Sequence, residues 1–512
     1  MLKIWFLIMM MGWLSACTPL PSLEGRNVSE ALLSQDGADT QLGRGLAPQV
    51  ERHPGLSGVA SLSDPLGAFA ARMVLITAAQ RTIDVQYYIW RDDTTGNLML
   101  HALHEAAKRK VRVRMLIDDN GTSGLDEKLA LLNAQENVEV RLFNPFPQRR
   151  FKSMGFLTDF GRLNRRMHNK SLTVDGQVTV VGGRNIGDEY FGATQGIAFA
   201  DLDVLVAGTV VDDVSKDFDR YWNSPSAYPV ETLVALPDGQ RSEQLHEEES
   251  ASAIGSRAKA YVDVITQSQF VEDLTRGQMA LQWVPVRMVS DDPGKVLDEA
   301  PPQTLLLSRL TELLGRPAES IDLISPYFVP TKHGVEAFGA LADEGVRLRI
   351  LTNAMESTDV LAVHAGYAKS RAPLLKKSIE LFEMRHQSAP DAPKEKAGPF
   401  GSSGASLHAK TFAVDGKRVF VGSFNFDPRS ARLNTELGFV IDSEPMARAI
   451  AKAFDDAIFD HAYQLELDED DKIVWLERSP QGVKRLSEEP STSLWRRLYL
   501  RLLWWLPLEP LL

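Results

Sequence analysis

Two copies of one short pattern constrain this chain more than anything else in it. His168-x-Lys170-x4-Asp175 is followed by Gly182-Gly183-Arg184-Asn185, and His408-x-Lys410-x4-Asp415 by Gly422-Ser423-Phe424-Asn425. Two further segments repeat in step. Thr82-Ile83-Asp84-Val85 is echoed by Ser320-Ile321-Asp322-Leu323, and Val111-Arg112-Val113-Arg114-Met115-Leu116 by Val346-Arg347-Leu348-Arg349-Ile350-Leu351. The offsets are 238, 235 and 240 residues (321 − 83, 346 − 111 and 408 − 168). Near-constant spacing over three separate segments marks a duplicated domain, because the period far exceeds that of a solenoid.

Each half alternates strand and helix. Ile83–Trp90 reads as a buried strand, Asn97–Lys108 as a helix with Leu98, Leu100, Leu103 and Ala106 on one side, and Val111–Ile117 as a strand. Ile321–Val329, Gly334–Asp343 and Val346–Leu351 repeat the series. The pattern predicts an α/β fold of two duplicated domains, each a mixed, mostly parallel sheet flanked by helices. A pseudo-two-fold would relate them around one shared active site. The expected domains span 61–290 and 303–465. Residues 240–249 read as a polar surface excursion, and 290–302, rich in Asp and Pro, as the linker. Residues 386–406, rich in Pro, Gly, Ser and Lys, lead into His408 and read as a lid. With 512 residues, 44% of them hydrophobic and 24% charged, the chain has material for two such domains.

Each motif reads as a hairpin. Ser171–Val174 and Val178–Val181 flank Asp175-Gly176, and Thr411–Val414 and Val419–Val421 flank Asp415-Gly416. Residues two apart on a strand share a face, so each half offers an imidazole, an ammonium and, from the returning strand, an amide on one surface. Two such sets around one phosphate suit phosphodiester chemistry. One neutral histidine attacks phosphorus; the other, protonated, donates to the leaving alcohol oxygen. Lys170, Lys410, Asn185 and Asn425 hold the charge on the non-bridging oxygens. A second alcohol or water then resolves the phosphohistidine. The scheme calls for no cofactor and no metal, and Asp118, Asp119 and Asn120 read as a solvated turn at a strand end.

The paired motifs resemble the phospholipase D superfamily over about Leu66 to Asp460. Residues 166–191 and 406–438 resemble its bacterial cardiolipin synthase C branch. The resemblance implies a phosphatidyl transferase that makes cardiolipin from phosphatidylglycerol and a second phospholipid, with phosphatidylethanolamine a candidate. Alternatives are a phospholipase D hydrolase releasing phosphatidic acid, a nuclease or other phosphodiesterase, and a non-catalytic lipid-binding envelope lipoprotein. The resemblance also implies His168 as nucleophile and His408 as acid and base. An acidic residue orients the opposite histidine: Glu436 on one side, Asp201 or Asp203 on the other. Asp175 and Asp415, though part of the catalytic motif, support the fold in that family. Gly183 departs from the Gly-Ser-x-Asn pattern that Ser423 keeps, and Arg184 or a backbone amide is expected to compensate.

Residues 1–16 (MLKIWFLIMMMGWLSA) have the layout of an export signal, one lysine before a short apolar run. Leu14-Ser15-Ala16-Cys17 resembles a bacterial lipobox, which implies cleavage before Cys17 and a lipid anchor in the cell envelope. Thr18 favours the outer membrane, facing the periplasm. Cys17 is the one cysteine, so an intramolecular disulfide and a cysteine zinc site are both excluded. Residues 17–60 read as a tether and lead-in. A net charge of −12 weighs against nucleic acid as partner and leaves phospholipid and a membrane surface. Arg149, Arg150, Lys152, Arg162, Arg165 and Arg166 read equally as a receptor for anionic headgroups or as a solvated loop. The tail 466–512 ends in an apolar, aromatic helix whose Trp495, Trp504 and Trp505 suit a membrane interface; the alternative is a helix capping a groove of the protein itself. Both motifs lie in one chain, so a monomer suffices for a complete site.

Overall fold

The computed structural model describes residues 19–193, 198–245, 280–385, 405–479 and 481–504, with 255, 258–259, 261–263 and 509. The signal segment, Cys17, most of the expected lid at 386–406 and Trp505 lie outside the described residues.

The first half contributes β1 (Ser57–Leu62), β2 (Thr82–Ile89), β3 (Arg112–Gly121), β4 (Val138–Phe143), β5 (Ser171–Val174), β6 (Val178–Gly182), β7 (Ala198–Ala200), β8 (Asp203–Gly208), β9 (Ala227–Pro229) and β10 (Gln282–Val284). The second contributes β11 (Val286–Ser290), β12 (Ser320–Ile324), β13 (Arg347–Asn353), β14 (Glu380–Met384), β15 (Ala405–Leu407), β16 (Thr411–Val414), β17 (Arg418–Gly422), β18 (Leu437–Asp442), β19 (Ala462–Leu467), β20 (Ile473–Ser479) and β21 (Gly482–Leu486). The first sheet runs β10-β1-β8-β6-β5-β2-β3-β4-β9 and the second β11-β18-β17-β16-β12-β13-β14-β19-β20-β21. From β1 and β11 inward the two orders match strand for strand, which is the duplication seen in the sequence.

Parallel pairing is confined to β2-β3-β4 and β12-β13-β14; every other neighbour in both sheets is antiparallel. The sheets are therefore mixed, and "mostly parallel" is corrected. Only β2, β3 and β4, and their counterparts β12, β13 and β14, are joined by crossovers that keep them parallel, while the motif hairpins return antiparallel. Thr94–Lys108, capped by Asp93 Oδ1 on the Gly96 N–H at 2.9 Å, is the first such crossover, and Thr331–Asp343 is its counterpart.

The duplication extends to buried charge. Asp84 on β2 accepts two bonds from Arg114 on β3 (2.7 and 3.0 Å), and Asp322 on β12 two from Arg349 on β13 (2.6 and 2.9 Å). Each arginine also pairs with an aspartate on a later helix, Asp219 or Asp455, and stacks on Phe218 or Phe454. A carboxylate on each side satisfies a guanidinium that burial alone would expel.

The two sheets hand over at Pro285, which separates β10 in the first from β11 in the second. The boundary is thus drawn there and not at 290–303, since β11 pairs with β18 in the second sheet as β1 pairs with β8 in the first. Residues 19–36 are a docked strap: Arg26 donates to the carbonyls of Asn223, Ser224 and Ala227, and Asp219 and Asp212 accept from the Ala31 and Ser34 amides. The tail begins as sheet, in β20 and β21. Its helix Leu494–Trp504 lays Leu500 and Leu503 against Met355 and Ala365. That face caps a groove of the protein, while Trp495, Leu498 and Leu502 stand exposed on the other.

Candidate active site

His168 and His408 lie just before β5 and β16, where each motif leaves the opposite half. The His168 amide donates to the Thr435 carbonyl (2.9 Å), and the His408 amide to the Ala200 carbonyl (2.8 Å). Met167 bridges Thr435 in parallel, and β15 runs parallel to β7, so the clamps are reciprocal. The histidines are thereby held by the domain that does not contain them.

The same exchange sets their side chains. Glu436 Oε2 lies 2.8 Å from His168 Nδ1, and Asp201 Oδ2 lies 2.6 Å from His408 Nδ1. Asp203 is excluded as the orienting group because it pairs with Arg72 and Arg184. Tyr88 meets the His168 ring edge-on at 5.0 Å, and Tyr190 meets His408 at 5.2 Å. Lys170 Nζ donates to the His168 carbonyl; Lys410 Nζ donates to that of His408 and sits 3.0 Å from His408 Nδ1. All four motif side chains are buried, with the imidazoles slightly exposed.

The departure at Gly183 has a steric cause. A Cβ there would collide with the Asp201 carboxylate, so glycine is what lets the shorter acid reach His408. In the second half Ser423 fills the place and donates to Glu436 Oε2 at 2.5 Å. Its counterpart donor for Asp201 is the Leu202 amide (2.8 Å on Oδ1), while the Arg184 side chain donates to the Asp201 carbonyl.

These environments set the two carboxylates apart. Burial lowers His168 far below an ordinary histidine, and Lys170, Lys410 and His408 add to that. Burial also pushes Glu436 up to about 7 against the pull of Lys170 and Ser423, so Glu436 gives up its proton only near neutral pH. Burial opposes ionisation of Asp201 too, but His408, Lys410 and Arg184 outweigh it and hold Asp201 at about 2. His408 is lowered by burial and Lys410 while Asp201 pulls it back up. Burial brings Lys410 down to about 8.

Other expected site residues are placed differently. Asp175 and Asp415 do not enter the cleft. Asp175 accepts the amides of Gln80, Arg81 and Thr82, and Asp415 those of Ala318, Glu319 and Ser320, so both motif aspartates fix the start of a neighbouring strand and neither acts on substrate. Asn185 is engaged by the Ile89 amide and the Tyr190 hydroxyl, which makes it an orienting group. Asn425 is buried beside the motif, with its backbone amide donating to Ser430 Oγ at 3.3 Å. Asp118 and Asp119 are buried, not solvated: Asp118 pairs with Arg166 and accepts the Met167 amide, and Asp119 pairs with Arg149 and Lys152. Arg149, Lys152, Arg162, Arg165 and Arg166 are therefore anchors tied to carboxylates, with Arg150 exposed. Tyr88, Tyr190 and Asp291, whose carboxylate accepts the Glu436 amide at 2.9 Å, escaped sequence reasoning because no spacing links them to the motifs.

The family described as "Cardiolipin synthase, PLD-like domain" matches residues 73–222 and again 310–458, one copy on each half. The chain belongs to this family. Both PLD-like copies contain their histidine at the shared cleft. The chain is 48% identical over 472 residues to Cardiolipin synthase C of Escherichia coli (strain K12), covering 92% of this chain and all of that protein. It is 31% identical over 443 residues to an uncharacterized protein of Helicobacter pylori (strain ATCC 700392 / 26695), covering 85% of this chain and 86% of that one. The crystal structure of phosphatidylserine synthase of Haemophilus influenzae Rd KW20 superposes with a TM-score of 0.54 at 14% identity, covering 91% of this chain and 96% of that one, and so shares the PLD-like fold.

Proposed function

We propose that this chain is a phosphatidyl transferase that makes cardiolipin from phosphatidylglycerol and a second phospholipid through a phosphohistidine. The observation that carries the reading is the crossed pair of carboxylates, Glu436 on His168 Nδ1 at 2.8 Å and Asp201 on His408 Nδ1 at 2.6 Å, of which burial holds Glu436 up while neighbouring cations keep Asp201 ionised. A bound phosphodiester anion raises both imidazoles, and the one beside the fixed anion takes the proton first. With Nδ1 committed to a carboxylate, Nε2 of neutral His168 attacks phosphorus. His408 Nε2 protonates the departing headgroup oxygen of the donor, glycerol from phosphatidylglycerol or ethanolamine from phosphatidylethanolamine, as the P–O bond breaks, and then takes the proton of the acceptor phosphatidylglycerol hydroxyl as that oxygen displaces His168. Lys170, Lys410 and Asn425 hold the non-bridging oxygens. The similarity to Cardiolipin synthase C supports a lipid acceptor, and phosphatidylethanolamine is a candidate second lipid.

A lipid anchor at Cys17, an envelope location facing the periplasm and membrane contact through the exposed face of Leu494–Trp504 complete the proposal. Among the described residues no helix is long and apolar enough to cross a membrane. The test is incubation with labelled phosphatidylglycerol, with and without phosphatidylethanolamine, followed by separation of the lipids. Cardiolipin is the expected product; phosphatidic acid alone would make the chain a hydrolase. His168→Ala should abolish the acid-labile protein–phosphate adduct, while His408→Ala still traps it from a substrate with a good leaving group.

A further inference from the structure

Large exposed apolar side chains are clustered in this protein, and the tightest cluster has no role in the chemistry above. Of twelve such side chains among the described residues, four fall within ten positions: Phe151, Met154, Leu157 and Phe160, exposed by 58, 56, 82 and 48%. They recur every third residue through the 3-10 turn Lys152–Met154 and the short helices Gly155–Thr158 and Phe160–Leu163. Three positions apart, all four stand exposed along this one short segment.

The ridge is mounted rigidly. Phe156 packs on Phe146 beneath it at 5.4 Å, and Gly155 backs onto Leu163 and Phe146, where a Cβ would not fit. Arg149 and Lys152 tie its start to Asp119, Arg166 ties its end to Asp118, and Arg429 of the second half donates to Asn164. A segment held this firmly displays its apolar side chains instead of folding them under. It also stands at the rim of the catalytic cleft: Asp118 accepts the Met167 amide one residue before His168, and Asn120 beside it reaches the Tyr88 hydroxyl at 3.4 Å.

We propose that Phe151, Met154, Leu157 and Phe160 form an insertion ridge that seats the mouth of the active site on a bilayer containing anionic phospholipid. Charge selects this occupant. Carboxylates tie up Arg149, Lys152, Arg162, Arg165 and Arg166, so the cation the segment presents outward is exposed Arg150, which lies over the Phe151 ring at 5.6 Å. A second copy of the chain would bring two Arg150 guanidiniums toward one another, whereas a bilayer takes up the four apolar side chains and offers Arg150 an anionic headgroup. Apolar residues interspersed with cations are the arrangement that binds the boundary between headgroups and acyl chains. The inference deepens the proposed lipid transfer by naming the surface through which substrate reaches the site.

The decisive measurement is co-sedimentation of the full chain bearing Cys17→Ala, so that no acyl chain contributes, with phosphatidylcholine vesicles with and without phosphatidylglycerol. Leu157→Ser and Phe151→Ser are each expected to weaken binding to the phosphatidylglycerol vesicles by about tenfold or more. Turnover of vesicle lipid should fall alongside, with turnover of monomeric short-chain phosphatidylglycerol unchanged. Unchanged vesicle affinity in both variants would overturn the proposal, as would equal loss on the short-chain substrate or equal binding with and without phosphatidylglycerol. Loss of self-association in the ultracentrifuge with vesicle binding intact would assign the ridge to a second copy instead. If the parent protein turns over no lipid in either form, the transferase reading fails while sedimentation still decides the ridge. Both side chains are exposed, so the thermal midpoints of the variants should match the parent.

Discussion

At Asp201 a carboxylate is held ionised and at Glu436 one is held close to neutral, although both reach Nδ1 of a histidine at hydrogen-bonding distance. Position alone therefore does not assign roles; charge does. An anion beside an imidazole favours the imidazolium, so removing it lowers the histidine. Asp201→Asn should move the alkaline limb of kcat/KM, which reports protonated His408, to lower pH by about one unit or more, and cut kcat by about 10²–10⁴. Glu436→Gln removes a group that carries little charge below about pH 7 and should move that limb much less. The pH–rate profiles of the two variants check this. A larger shift in Glu436→Gln would exchange the roles of the histidines. The motif residues His168, Lys170, His408 and Lys410 were legible in the sequence because strand geometry ties them to fixed spacings. The choice of Asp201 over Asp203 was not. It depends on Gly183 making room for the Asp201 carboxylate and on Arg72 and Arg184 claiming Asp203, and neither contact leaves a local pattern.

The hairpins show how one residue type can carry an element. Asp175 and Asp415 both sit at φ +53°, in the left-handed region, with Gly176 and Gly416 also at positive φ, the geometry of a tight two-residue turn. Each then spends its carboxylate on three amides at the start of β2 or β12, locking the hairpin to the neighbouring strand. Burial separates the two cases. Asp175 is fully buried, so Asp175→Ala strips the buried Thr82 amide of its partner and loosens those of Gln80 and Arg81, and should cost about 3 kcal/mol. Asp415 is partly exposed, water can replace it, and Asp415→Ala should cost about 1 kcal/mol. Urea unfolding measures both, and the folded fraction of each variant should keep its activity per molecule. The turn chemistry made both hairpins readable in advance. The strap at 19–36 was not, because it has no periodicity and is held by side chains of the helix Val210–Trp222 and carbonyls just beyond it.

Across the whole molecule the duplication explains why neither half is complete. The catalytic pairs cross between halves, and so does the packing. One core cluster joins Val59, Val181, Val204 and Val206 of the first half to Phe382, Val421, Phe439 and Ile441 of the second. The repeat offsets announced two domains, but composition could not show that their sheets share a core, since the strands on that face read like any buried strand. The handover at Pro285 was obscured for the same reason: β11 lies in sequence beside the first half and in space at the edge of the second. A shared core predicts shared stability. Phe439 is fully buried in it, and Phe439→Ala should destabilise by about 3–5 kcal/mol. If the halves unfold as one unit, hydrogen exchange in the variant should accelerate together in β5 and β6 and in β16 and β17, although the substitution lies in the second half. Acceleration confined to β16–β18, with β5 and β6 still protected, would show instead that the first half stands alone and that only the catalytic pairs depend on the partnership.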